Sequence, residues 1–432
     1  MVESFSVENY LSFKDKATIS FVPETLKESP DSLHAALSYD MNFKLLKSIG
    51  IYGHNSFGKS NFLKAYQFFQ TLILCSNDPG HSELIDVDNF RLNAACAHEP
   101  SFFEARFLLG STRYRYGFKV TRDRIVAEWL YYAEARVKEN FLFVRAEQET
   151  KVNKNWQKKN GEIIDRSIHY AQKHQLLLSS LLNAKLTVDP VGIIGEWFKG
   201  NAIMIDISDE KHFKRALTIL SVERYRPMIQ RLIEQADLGF ISIQSKIDSM
   251  AMNKLGVDEG ILKMWYHAEL KEFSLYTRHH FYDITHKRID SVYFDFLKNE
   301  SAGSLRFLIL ACYLVYVIHQ GQLILIDEID SKFHSDLLQL IVQFYNDPAI
   351  NTSGSQMLFT THNTVLLNES LRRDQIQVVE KNEFGESAIR RAHSAQTPIR
   401  LDTPIEKQYR KGKLGGVSKK LRDDGSQTKL DF

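Results

Sequence analysis

The chain has 432 residues, 44% of them hydrophobic and 25% charged, with a formal net charge of +2. That balance excludes an intrinsically disordered chain, and it excludes a molecule whose whole surface is a basic field for nucleic acid or anionic lipid. The length exceeds the roughly 250–300 residues at which one core stops growing, so a large α/β domain with a second lobe is expected.

Cys75, Cys96 and Cys312 lie far apart, with neither a disulfide framework nor metal-ligand spacing. Together with an N-terminus that lacks signal-peptide features, this leads to an expectation of a cytoplasmic protein. The most apolar run, Leu305 to Ile318, contains Arg306 and falls short of the roughly 20 residues of a membrane span. A buried helix and no membrane partner are expected.

In chain order, residues 2–40 read as short strands and turns, with Ala17 to Phe21 alternating. They are expected to form an antiparallel edge beside the nucleotide strand, with Tyr10 or Phe13 either in the core or touching an adenine. Residues 48–52 read as a strand. Gly53-His54-Asn55-Ser56-Phe57-Gly58-Lys59-Ser60 follows, then a helix start at Asn61. Strand, glycine-cornered loop, Lys-Ser and helix form the P-loop pattern. Its glycines let backbone amides turn inward, Lys59 can reach β and γ phosphates, and Ser60 can offer a hydroxyl to Mg²⁺. Strands return at 101–109, 114–120 and 125–132 and suggest an antiparallel meander.

Residues 134–290 change texture, with helical periodicity across 170–182, 196–197, 211–233, 241–255 and 261–273, so a short helical lobe is expected. Residues 276–296 return to strands and turns. Asn299-Glu300-Ser301-Ala302-Gly303-Ser304 then opens an apolar helix, with Ser301 or Ser304 placed as its cap. Leu323-Ile324-Leu325-Ile326 is an apolar strand ending in Asp327-Glu328. In parallel sheets ligands gather at such carboxyl ends, which suits Asp327 for a metal shell and Glu328 for an attacking water. Met357-Leu358-Phe359-Thr360-Thr361-His362-Asn363 repeats the pattern and offers His362 to the γ phosphate. Residues 375–380 and 386–391 read as a strand pair. From Pro404 the chain is polar and basic, either a nucleic-acid or partner contact or a frayed terminus.

This set of motifs resembles the ABC-type ATPases of the structural-maintenance (SMC) and double-strand-break-repair class. Within it, the chain looks most like bacterial AAA ATP-binding proteins of phage-defence systems, such as the AbiL-like and RloA-like ATPases and the AriA component of PARIS. Residues 53–60 match Walker A, 301–304 a shortened signature motif, and 324–328 Walker B. Asp330 begins the D-loop region, and 361–363 resemble the switch-histidine segment. Arg372 to Ile376, Glu380-Lys381 and Tyr409 to Gly416 look like the family's C-terminal blocks. No glutamine occupies the loop that couples the two halves in relatives, and Asn89 or another residue of 83–93 is the candidate substitute. The insert carries neither long coiled-coil arms nor a zinc hook.

The resemblance implies an α/β P-loop NTPase of ABC/SMC-head type with an antiparallel β meander and an inserted helical lobe. Its parts would be 1–133 and 281–403 for the head, 134–280 for the lobe, and 404–432 for a basic C-terminal segment. It implies ATP and Mg²⁺ as ligands and ATP hydrolysis as the reaction. Gly53, Asn55, Gly58, Lys59, Ser60 and Asn61 would hold the nucleotide, Ser60 and Asp327 the metal. Lys59, Glu328 and His362 would be the catalytic groups. Ser301 and Gly303 would close on the nucleotide of a second copy in a head-to-tail homodimer, with higher homo-oligomers open. The implied function is a sensor or scaffold of antiviral defence. It would respond to a phage protein or DNA and control a separately encoded effector, a nuclease of Toprim or HNH type. The alternative is an SMC-like repair or chromosome-maintenance ATPase that clamps DNA itself.

Overall fold

The computed structural model describes residues 1–24, 35–36, 44–78, 84–134, 137–147, 149–184, 190–207, 210–247, 273–393 and 404–416. The chain begins with β1 (Val2–Glu8), β2 (Ala17–Ser20), the two-residue strands β3 (Ala35–Ala36) and β4 (Leu45–Leu46), and β5 (Ser48–Tyr52). Helix α1 (Lys59–Cys75) is followed by β6 (Ser101–Leu109), β7 (Thr112–Val120), β8 (Ile125–Glu134), β9 (Asn140–Ala146) and β10 (Glu149–Val152). Then come α2 (Lys154–Tyr170), α3 (Leu177–Asn183), α4 (Pro190–Gly200) and β11 (Ala202–Met204). Next are α5 (Glu210–Ser221), α6 (Arg226–Ala236), β12 (Ser242–Ile247), β13 (Phe273–Tyr282), β14 (Arg288–Asp295), α7 (Phe296–Asn299) and α8 (Ala302–Gln320). The chain continues with β15 (Leu323–Ile326), α9 (Ser335–Asn346), β16 (Gln356–Thr360), α10 (Leu366–Glu369), β17 (Ile376–Lys381), β18 (Ser387–Arg391) and α11 (Ile405–Arg410).

Two compact units result. The first comprises Met1–Ile205, Gly321–Ile329 and Asn346–Phe432, and the second Asp206–Gln320 and Asp330–Tyr345. The first unit holds a six-stranded sheet in the order β11-β15-β16-β5-β17-β18. All neighbours in it are parallel except β17 and β18. Every residue of β5, β15 and β16 is buried, which is why these strands read as unbroken apolar runs: a parallel sheet is covered on both faces. The same unit holds a seven-stranded antiparallel sheet, β10-β9-β8-β7-β6-β1-β2.

One core cluster joins Phe62, Tyr66 and Phe69 of α1 to Ile49, Ile51, Leu325 and Leu358 of the parallel sheet and to Phe5, Phe103 and Phe118 of the antiparallel one. Phe5 touches the rings of Phe62, Tyr66 and Phe69 at 5.6, 5.0 and 5.3 Å between centroids. Each such ring stabilises the fold by about 1.5–3 kcal/mol through burial.

Several expectations change here. The described strands of residues 2–40 do not flank the P-loop strand. β1 and β2 belong to the antiparallel sheet, and the neighbours of β5 are β16 and β17. The meander continues through β9 and β10, β11 pairs with β15, and the first compact unit includes the whole of Met1–Ile205. The helix expected across 241–255 is β12 over 242–247, where Ile243 pairs with Thr277. Residues 248–255, and 261–272 of the next expected helix, lie outside the described residues. The helix expected over 170–182 is two helices with a turn between them, α2 ending at Tyr170 and α3 starting at Leu177. From Pro404 the described stretch is not frayed. Ile405 and Leu414 are buried, and α11 precedes a turn containing Gly415 and Gly416.

The second unit packs α5 and α6 against α8 and carries the three-stranded sheet β12-β13-β14. Helix α8 is long and apolar enough to cross a membrane, but 72% of its most apolar window is buried inside the protein. It is a core helix.

A buried carboxylate ties the meander to α3. Glu128 Oε2 accepts the Leu177 N–H at 2.7 Å, and Oε1 accepts the Leu178 N–H and the Tyr116 hydroxyl, each at 2.9 Å. Arg145 stands 3.9 Å away. Burial pushes the Glu128 carboxyl upward, opposed by Arg145 and these hydrogen bonds. Replacing Glu128 with Ala strands all of these partners at once. The expected loss is about 3–5 kcal/mol of stability, read as a lowered urea midpoint.

Candidate nucleotide site

The loop after β5 is shaped from outside. Gly53 lies at φ +157°, and a Cβ there would sit 2.7 Å from the Val379 carbonyl oxygen of β17. Gly58 lies at φ +108°, and a Cβ would sit 2.5 Å from Ser12 Oγ and 2.6 Å from Ser387 Oγ. Both positions therefore demand glycine. Ser387 Oγ donates to the Phe57 carbonyl at 2.6 Å, and Lys381 Nζ donates to the Ser56 carbonyl at 3.3 Å. Ser56 itself adopts φ +64°. Lys59 is buried, its ammonium donating to the carbonyls of Gly53 at 2.9 Å and His54 at 3.3 Å. The cation thus lies in the loop's own curl. Ser60 is half-buried in the first turn of α1, and Asn55 is exposed.

The acidic strand end leaves the same edge of the sheet. Parallel pairing puts β16 between β15 and β5, so the P-loop and Asp327 lie two strand spacings apart, about 10 Å. Thr360, the last residue of β16, joins the parts. Its hydroxyl donates to Asp327 Oδ1 at 2.5 Å and accepts the Glu328 N–H at 2.7 Å. The following N–H, of Thr361, reaches the Ile51 carbonyl at 3.2 Å. Asp327 is 7% exposed, and Glu328 is exposed on a left-handed backbone at φ +48°. That conformation is costly for a residue with a Cβ, and such backbone gathers at functional sites. His362 is exposed in a turn held by Asn363 N–H on Thr361 Oγ1 and Val365 N–H on Asn363 Oδ1, each at 3.0 Å.

Beside the P-loop lies a cleft of about 400 Å³ lined by Leu11, Ser12, Asn61, Asp88, Asn89, Phe90, Arg91, Leu92, Lys381 and Gly385. Asn61 Nδ2 donates to Ser12 Oγ at 2.8 Å and Asn89 Nδ2 to the Glu99 carbonyl at 2.8 Å. Tyr10 and Phe13 do not line the cleft. Tyr10 packs on Phe68 and Phe103, and Phe13 on Phe62, so both serve the core.

In the second unit, Ser301 caps α8: its hydroxyl accepts the Ser304 N–H at 3.0 Å. Gly303 sits in the first turn. A Cβ there would meet nothing closer than Ser301 Oγ at 3.5 Å and the Lys332 carbonyl at 3.7 Å, so the chain's own packing does not require glycine. Glu300 accepts from Thr277 Oγ1 at 2.6 Å and lies 2.9 Å from His279 Nε2, which accounts for His279 as a structural partner.

A family model described as "AAA domain, putative AbiEii toxin, Type IV TA system" matches residues 48–368, about three quarters of the chain. The chain belongs to this family. The matched stretch of this AAA protein holds the P-loop, Asp327, Glu328, Thr360 and His362. Among solved structures it is similar to the SMC head domain from Thermotoga maritima, with 12% identity over 93% of this chain and 99% of that one and a TM-score of 0.41. It is also similar to an SMC head bound to the C-terminal winged-helix domain of ScpA, with 12% identity over 90% and 97% and a TM-score of 0.45. A third similar structure is the recombination mediator RecF, with 11% identity over 90% and 98% and a TM-score of 0.34. Curated protein sequences give no match.

Thr360 and Ser12 are the site residues of this AAA protein that sequence reasoning missed. A threonine at the end of an apolar strand, or a serine in a short turn, carries no local signal, because its partner is remote in the chain. Thr360→Val keeps the shape and removes the hydroxyl, leaving the Glu328 N–H and the buried Asp327 carboxylate each short of one bond. It should cost about 1–3 kcal/mol in thermal or urea unfolding, and Thr360→Ser should restore most of it.

Proposed function

We propose that this AAA protein binds and hydrolyses ATP at residues 53–60 and serves as a nucleotide-gated sensor or scaffold in antiviral defence. The observation that carries the reading is the common sheet edge shared by the P-loop and the Asp327–Glu328 strand end, with Thr360 spanning the strand between. In this reading Lys59 exchanges the Gly53 and His54 carbonyls for β and γ phosphate oxygens. Gly53, Asn55, Gly58 and Asn61 shape the nucleotide's seat, and the cleft lined by Leu11, Ser12 and Asn61 takes the base.

The hard oxygen donors of Ser60 and the buried Asp327 fit Mg²⁺, which when bound offsets phosphate charge. Glu328 takes the proton of water as its oxygen bonds to the γ phosphorus. The bond to the β–γ bridging oxygen breaks, releasing ADP and phosphate. His362, exposed at the end of β16, faces the γ side as an orienting group. The open surroundings of Gly303 suit a second copy's phosphate arriving at the start of α8, and this supports a head-to-tail homodimer closed by two ATP molecules.

The family's own description, a toxin of a type IV toxin–antitoxin system, supports the defence setting. The effector would be separately encoded, a nuclease of Toprim or HNH type, and the trigger a phage protein or DNA. Lys59→Ala should lower ATP affinity more than a hundredfold in a calorimetric titration. Glu328→Gln should retain binding, cut phosphate release by at least tenfold, and hold the protein at dimer mass in ATP. Normal phosphate release by Glu328→Gln would remove the catalytic assignment.

A second reading, direct DNA contact, has one feature in its favour. On one face of the β13–β14 hairpin, His280 is pushed down by burial and by Arg288 and Arg278, which marks crowded positive charge. Tyr282 and Tyr293 stand exposed beside it. Cations interleaved with aromatic rings suit a nucleic-acid strand. If DNA binds here, its affinity falls steeply between 50 and 200 mM salt and drops further in Arg278→Ala/Arg288→Ala, measured by fluorescence anisotropy.

A further inference from the structure

The described C-terminal stretch, residues 404–416, is built into the phosphate end of the first unit. Tyr409 sets its ring edge against Tyr52, the last residue of β5, at 5.8 Å and 70°. The Gly53 N–H faces the Tyr409 hydroxyl and draws its pKa down against the effect of burial. That hydroxyl lies 3.5 Å from the Gly416 carbonyl, which it faces as donor. Gly416 runs close beneath: a Cβ there would be 2.7 Å from Val378 Cγ1 and 3.3 Å from Gly53 Cα. Arg390 Nη2 fastens the turn by donating to the Leu414 carbonyl at 2.6 Å.

Glu406 and Arg410 of the same helix hold the His362 turn. Thr364 Oγ1 donates to Glu406 Oε1 at 2.8 Å and accepts from Arg410 Nη2 at 3.1 Å. Arg410 and Glu406 pair at 2.7 Å, one helical turn apart. A single short helix therefore grips the first P-loop residue and the residue two places after His362.

From these contacts we infer that Tyr409 is a positioning residue for the nucleotide site, and that residues 404–416 act as a strap joining the P-loop to the His362 turn. The inference rests on residues 53–60 being the phosphate loop. Gly53 has no side chain to fix it: Lys59 holds its carbonyl, and the turn that Tyr409 pins through Gly416 packs against its Cα. When Lys59 turns to phosphate, the carbonyl contact is given up, and Tyr409 remains to keep the loop in its binding shape. Burial raises the phenol to about 12, so it stays protonated and able to donate to the Gly416 carbonyl across the physiological range. The contribution is thus largest in the nucleotide-bound state, which separates positioning from packing.

Tyr409→Phe keeps the ring and loses only the hydroxyl. It should weaken ATP binding about three- to tenfold, as expected for one hydrogen bond, while the nucleotide-free protein keeps its full active fraction at the assay temperature and its melting temperature falls by less than that of Thr360→Val. Thr364→Val should lower turnover at saturating ATP with affinity retained, because it frees only the His362 side. Unchanged affinity in Tyr409→Phe would overturn the proposal. So would an affinity loss matched by a fall in melting temperature and in active fraction, which assigns the hydroxyl to packing. Lys59→Ala in the same titration separates the two levels. If it loses binding while Tyr409→Phe does not, the strap alone fails. If it binds normally, the phosphate-loop reading fails and takes the strap with it.

Discussion

The parallel pairing of β16 with both β15 and β5 is the constraint on which the site depends. Side-chain chemistry at positions 59, 327 and 362 has meaning only because three separate stretches end at one sheet edge in fixed register. The burial of all three strands makes that register stiff. A slip by one residue would turn every side chain to the opposite face, and by two would move the strand end about 7 Å. Thr360 then adds a local lock. One hydroxyl serves a carboxylate and a strained peptide N–H together, converting strand register into the placement of Asp327 and Glu328.

Around this edge, the supports come from elements remote in sequence. Ser12 and Ser387 close on Gly58, Val379 closes on Gly53, and Lys381 and Ser387 hold loop carbonyls. The P-loop is therefore less a local motif than a meeting point of the N-terminal turn, the β17–β18 hairpin and the stretch around Tyr409. The atoms that shape this loop stand behind it, which in the proposed reading leaves its inner face to the phosphates.

What was legible in the sequence follows from this division. Strands buried on both faces wrote themselves as Leu-Ile-Leu-Ile and Met-Leu-Phe-Thr, and the P-loop glycines wrote themselves through the backbone they must adopt. The β17–β18 pair was readable from the turn residues Asn382-Glu383-Phe384-Gly385 between the stretches 375–380 and 386–391. The placement of β1 and β2 was not, because alternation tells that a strand has one exposed face and not which sheet it joins. β9 was hidden behind the charged residues 134–139, and β12 looked helical because Ile243 and Ile247 also fit a helical repeat. Tyr10 illustrates a different limit: an aromatic beside a glycine-rich loop suits a base or a core equally well, and only the positions of Phe68 and Phe103 decide.

The strand order also governs how the protein is made. The two neighbours of β5 begin at Gln356 and Ile376, some three hundred residues downstream. During synthesis the P-loop strand must wait, apolar on both faces, until the chain through Lys381 has left the ribosome. Closing so long a loop is slow, and an unpaired strand of this kind is open to misassociation meanwhile. The antiparallel meander and α1, made from residues before 153, supply the early shelter. The sheet edge that carries the proposed nucleotide site is then completed only once residues 356–381 have been made.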